Sequence, residues 1–188
     1  AAINLIMPFV MVLGGMGFMI GTGGTALVAR CLGAGDREQA NRYFSMMIEL
    51  TVSLGAVLTA IGLLFMEPIA RLLGATEEMV PDCVLYGRTV IAFNVAFMLQ
   101  NVFQSFLIAA ERPKLGLIAT VCAGVTNMVL DALLVGLLRW GLAGAALATG
   151  LSQTIGALIP LVFFLRKNNG SPLHLHPVKM EAKPLLQA

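Results

Sequence analysis

Two side chains able to hold a charged ligand stand four residues apart inside an otherwise apolar stretch, Asn127 and Asp131 within residues 121–135. Four residues make about one helical turn, so on a helix both occupy one face. A carboxylate deep in hydrocarbon costs at least about 2.5–3.5 kcal/mol, and an intramembrane Asp is therefore a functional-site hypothesis by default. Without a partner such a carboxyl tends to hold a proton, whereas a bound cation favours its ionised form. Asn127 adds a carbonyl oxygen and Thr149, in the next apolar run, a hydroxyl. Together these oxygens suit H⁺ or a hard monovalent cation. The competing reading is a structural cluster of hydrogen-bonded Asn and Asp.

The elements that carry these groups follow from composition. Of 188 residues, 58% are hydrophobic and only 12% charged, and mean hydropathy is +0.87. Soluble domains carry about 25% charged residues, so this is a membrane chain. Five apolar runs fall at 3–31, 43–66, 84–110, 115–138 and 142–165. Each is long enough to cross about 30 Å of hydrocarbon as a helix, and none alternates as a barrel strand would. The expected fold class is all-α, a polytopic membrane helical bundle with residues 1–165 as a partial transmembrane lobe. The remainder, 166–188, contains Pro172, Pro177 and Pro184 among polar residues and reads as a linker or tail.

Orientation comes from the basic residues. Nine of the 12 Lys and Arg lie in loop 30–42, in loop 111–114 or after Leu165, and only Arg71, Arg88 and Arg139 lie toward the other side. The positive-inside rule makes loops 30–42 and 111–114 and the tail cytoplasmic, which predicts a multi-pass protein of the plasma membrane. Five spans with the tail inside put the first one entering from outside, and so predict a helix ahead of it. Counted from Lys114, Asn127 lies about 20 Å and Asp131 about 25 Å along the helix, too deep to snorkel to the cytoplasmic surface.

Other polar groups are weighed on the same scale. Asn94, Asn101 and Gln104 fall roughly on one stripe of the third span, lining either a water-filled cavity or a helix contact. Glu49 sits only about 10 Å from Arg42, where snorkelling or a structural pair competes with a place on a cytoplasmic pathway. Asp36 with Gln39 reads as a capping box after Gly33 and Gly35, and the glycines of the first run, including Gly17 and Gly21, read as close-packing positions. Pro8 and Pro160 are kink candidates. Cys31, Cys83 and Cys122 are too scattered for bridges or a metal. His174 and His176 form a poor metal pair in a solvated tail, and Arg139 with Trp140 reads as an interface anchor.

Three stretches resemble the N-terminal lobe of a multidrug and toxic compound extrusion (MATE) transporter. They are 23–36 (GGTALVARCLGAGD), 111–116 (ERPKLG) leading to Asn127 and Asp131, and 141–149 (GLAGAALAT) ending at Thr149. The resemblance implies two six-helix bundles about a central cavity, of which this chain supplies helices two to six of the first. It also implies a cation site in which Asn127, Asp131 and Thr149 take part with an Asp on the preceding helix, absent from this sequence. The expected activity is H⁺- or Na⁺-coupled antiport of amphipathic or cationic compounds, with this part inactive alone. The expected partners are the lipid bilayer, the small-molecule substrate, the missing helix and the C-terminal lobe. No enzyme activity, cofactor, further metal or nucleic-acid partner is expected.

The rival readings are a lipid-linked oligosaccharide flippase of the same superfamily and a structural or channel subunit. A flippase would be expected to show more cationic residues toward its cavity, and an intramembrane aspartyl protease would need a second deep Asp.

Overall fold

The computed structural model describes residues 1–166 and 170–175, and the described residues are helical with no strand. In chain order they form α1 (Ala2–Gly33), α2 (Arg37–Leu72), α3 (Val80–Ala92), α4 (Asn94–Ala109), α5 (Pro113–Asp131) and α6 (Gly141–Leu165). A π-helical turn, Ala132–Leu137, continues α5. Four helical stretches are long and apolar enough to span a membrane, α5 with its π turn among them; α3 and α4, bent by 50° at Phe93, make a fifth as one broken span.

Local chemistry explains the joints. The Asp36 carboxylate accepts the Gln39 backbone N–H at 3.0 Å, so the capping signal starts α2 as expected, with Gly35 at φ +79° supplying the left-handed step before it. The second span runs on to Leu72, past the sequence boundary at 66. Pro68 lies within it, and three residues earlier Phe65 is non-helical at φ −108°, ψ 16°. A proline ring removes one helical hydrogen bond and collides with the carbonyl four residues back, which bends the chain there. Helices α1 and α6 continue through Pro8 and Pro160.

Small residues let the helices close up. Gly17 faces the Met98 backbone, and Gly21 faces Ser105 and Val102, so that a Cβ at either position would meet atoms of α4 at about 3 Å or less. Two apolar clusters result. One, with Val28, Phe44, Phe103, Phe106 and Phe164, fills the end nearest loop 111–114; the other, with Ile6, Met66, Tyr86, Ile91 and Ala146, fills the opposite end. Buried Thr51, Asn94 and Ser152 lie between them along the chain. Outward faces are apolar too: Leu117, Val121, Val125, Met128 and Val129 of α5 are all exposed, as a lipid-facing surface requires.

The segment after α6 departs from the expected solvated linker. Leu173 is fully buried in the first cluster, the Leu175 N–H donates to the Phe164 carbonyl at 3.1 Å, and the His174 N–H donates to Asn41 Oδ1 at 2.7 Å. Arg112 adds a bond to the Gly170 carbonyl at 3.0 Å. His174 is thereby half-buried against the bundle, not solvated; His176 lies outside the described residues.

A candidate cation site between three helices

On α5 Gly116, Ala119 and Ala123 are buried, and Leu115, Cys122, Thr126, Asn127, Leu130 and Asp131 are half-buried. Gly116, Ala119, Ala123, Asn127 and Asp131, spaced by three or four residues, fall on one stripe, and Leu117, Val121, Val125, Met128 and Val129 face outward. The stripe begins at Gly116, where Gln104 of α4 fits against the missing side chain and donates to the Gly116 carbonyl at 3.1 Å and to Thr120 Oγ1 at 2.5 Å. Asn127 and Asp131 continue this α4-facing side upward.

On α6, Thr149 lies two turns from Gly156, on the same face. Gly156 abuts the Gln100 carboxamide of α4, where an added Cβ would come within 2.8 Å. Gln100 and Gln104, one turn apart, therefore reach to α6 and α5 respectively, and Thr149, Asn127 and Asp131 line the wedge between α4, α5 and α6.

Three contacts set the level. From the Gln104–Gly116 pair, eleven residues along each antiparallel helix, about 16 Å, lead to Phe93 and Asn127. The Phe93 ring in turn lies against Gly150, the neighbour of Thr149, leaving no room for a side chain there. From the Leu134–Gly144 contact, five residues, about 7.5 Å, lead to Thr149, whose depth falls between those of Asp131 and Asn127. By helical rise and phase, Asn127, Asp131 and Thr149 come within about one turn of one another in depth on neighbouring helices. Two backbone irregularities share that level: the α3/α4 break at Phe93 and the start of the π turn after Asp131.

The side chains there are half-buried and available. Thr149 Oγ1 donates to the Ala145 carbonyl at 3.0 Å and keeps lone pairs free. Among the described residues neither Asn127 nor Asp131 makes a side-chain hydrogen bond or ion pair. Beyond Asp131 the backbone runs in wide turns, with Leu138 N–H bonded to the Leu133 carbonyl and Trp140 N–H to the Leu134 carbonyl. Wide turns of this kind recur at functional sites.

The polar stripe of α4 divides. Asn94, only 3% exposed, donates to the Gly55 carbonyl of α2 at 3.4 Å, and Asn101 donates to the Phe97 carbonyl of its own helix at 2.9 Å. Asn94 thus reaches toward α2 and Gln104 toward α5. Glu49 borders an open cleft on α2 with Ile48, Val52 and Ser53. Sequence reasoning passed over Thr120 and Gln153 and left Gln100 off the stripe, because only the antiparallel register shows which neighbours they meet.

The described residues thus form an all-helical membrane bundle with a half-buried carboxylate that has no described partner. Comparison with known proteins gives the family: the MatE family profile matches residues 1–133, and the chain belongs to that family. It is 28% identical over 187 residues to multidrug export protein MepA of Staphylococcus saprophyticus, covering 100% of this chain and 42% of that protein. To the MepA of Staphylococcus haemolyticus it is 30% identical over 168 residues, covering 89% and 37%. The chain thus spans about two fifths of the length of the curated relatives it matches. Among solved structures, a MATE in a bent conformation matches with a TM-score of 0.91 at 25% identity, covering 98% of this chain and 41% of that one. An inward-facing multidrug resistance MATE transporter matches at 0.88 with 26% identity, covering 99% and 43%, and an outward-facing one at 0.87 with 27% identity, covering 98% and 41%.

Proposed function

We propose that this chain forms most of the N-terminal lobe of a cation-coupled exporter of amphipathic or cationic compounds, and that Asp131, Asn127 and Thr149 bind its coupling ion, H⁺ or Na⁺. The observation that carries the reading is the Asp131 carboxylate, half-buried in a wedge of oxygens with no described partner, in a chain whose relatives are multidrug export proteins. The remaining helix and a second lobe complete the cavity and the site, and the piece described here does not transport alone.

In this mechanism the ion enters from outside, loads Asp131 and is released inside while the compound leaves. An ion shifts a two-state equilibrium only by the difference between its affinities for the two states, and each charge crossing 100 mV adds about 2.3 kcal/mol. The lobe resembles its counterparts in inward- and outward-facing transporters about equally, at 0.88 and 0.87, which supports movement of the lobe largely as one body. The plasma membrane is its location, with loops 30–42 and 111–114 on the cytoplasmic side. Asp131→Asn in the full-length transporter, reconstituted in vesicles, is expected to abolish ion-driven efflux while leaving the folded yield unchanged. Ion-driven efflux at the wild-type rate would reject the assignment.

A further inference from the structure

The wedge contains a second unpaired group, one turn below Thr149. Gln153 of α6 has its Oε1 atom fully shut off from solvent without a hydrogen-bond partner. Buried polar atoms are nearly always satisfied, so an orphaned carbonyl oxygen calls for an explanation. The described residues already enclose this atom, so its partner is sought on the side of α6 that carries Thr149.

The surroundings narrow its chemistry. Gln153 shares its face of α6 with Thr149, four residues before it, and with Gly156, three residues after it. At Gly156 stands the Gln100 carboxamide, and among the described residues it too makes no hydrogen bond. One turn further along α4, Gln104 reaches Thr120 and the Gly116 carbonyl on α5. From Asp131 toward the loop 111–114 end, the wedge is thus lined by Asn127 and Thr149, then Gln153 and Gln100, then Gln104 and Thr120. All are neutral oxygen-bearing groups, and none can take up a proton near neutral pH.

We propose that Gln153 and Gln100 form a second, transient station for the coupling cation, between the Asp131 level and the cytoplasmic end, where amide oxygens hold Na⁺ directly or hold the water that carries H⁺. This rests on the cation-coupled reading of Asp131. Two neutral amides bind a cation less firmly than a carboxylate, so the ion is held at Asp131 and passes through here on release. The station therefore governs how readily the cytoplasmic side empties.

The test uses the full-length transporter in vesicles, with efflux measured against Na⁺ at fixed pH and against pH without Na⁺. Gln153→Leu keeps the side chain's bulk and removes the oxygen. Its expected effect is a roughly tenfold shift in the cation concentration, Na⁺ or H⁺, that gives half-maximal efflux, with binding of a fluorescent substrate unchanged; the series in which the shift occurs identifies the ion. Gln153→Glu, which restores an oxygen, is expected to recover cation affinity in the series that responds. Wild-type cation dependence of Gln153→Leu beside an inactive Asp131→Asn overturns the second station alone. Coupled efflux by Asp131→Asn overturns the underlying reading as well. A thermal midpoint of Gln153→Leu above wild type, unmoved by added Na⁺ or by pH, shows an oxygen that met no cation or water and also rejects the proposal.

Discussion

Arg71 and Asp131 are both ionisable groups on spanning helices, and their surroundings are opposite. Arg71, near the end of α2, is joined to Glu67 one turn earlier at 3.1 Å and to Glu77 in the following loop, all three well exposed. Asp131, half-buried beside lipid-facing neighbours, has no cation at all among the described residues. Charges that are satisfied by one another tie a helix end to a loop and have nothing left to offer a ligand. A charge held deep without a partner contributes little to holding the bundle and is free to bind. Arg71 and its two partners remain in water, where a charge costs little, whereas Asp131 meets the cost of burial without a described partner.

The contrast breaks most visibly if the unpaired charge turns out to be structural. Asp131→Asn is expected to eliminate ion-driven efflux yet leave the thermal midpoint in detergent unchanged or raised, since an amide is easier to bury than a lone carboxylate. A fall of many degrees would make Asp131 a structural residue. Next in size is Gly150→Ala, which drives a Cβ into the Phe93 ring. Overpacking of this kind costs about 1–3 kcal/mol, and because Phe93 stands level with Asn127 and Thr149, cation affinity measured by efflux should fall along with stability. Gly15→Ala, at a position with open space around it, is the matched control and should alter neither.

Arg71→Ala severs two ion pairs but exposed pairs are weak, so only a small stability loss is expected, shrinking further in high salt, with efflux retained. The smallest effect sharpens the same point by pH. Hydrogen bonding from Arg71, then its charge, holds the Glu77 carboxyl below its ordinary value of 4.5. A depressed folded-state value means that its contribution is present above pH 4.5 and is lost as the pH falls through that lower value. An acid titration of the melting midpoint should therefore lose a small step below that pH in wild type and lack it in Arg71→Ala.

Much of this was legible in the residues because membrane burial leaves a simple record. Runs of about 20 apolar residues gave the spans, the Asp36/Gln39 capping signal gave the start of α2, and the four-residue spacing put Asn127 and Asp131 on one side of α5. The breaks inside spans were harder. Pro68 was hidden beyond an acidic residue that seemed to end its span, and the α3/α4 bend carries no proline and no glycine of its own, since its room is provided by Gly150 on another helix. The division of Asn94 from Gln104 follows from the bundle's register, which no stripe on a single helix contains. The docking of Leu173 was masked by prolines and polar neighbours that look solvated in sequence.

The π turn at Ala132–Leu137 is, in effect, an α-helix with one residue too many. Removing one residue between Asp131 and Leu138 would let the ladder heal into ordinary α-helix while Trp140 and the corner into α6 keep nearly their present phase, because the wide turns absorb the extra residue. The chain length of this corner, as much as its side chains, thus sets how α5 meets α6.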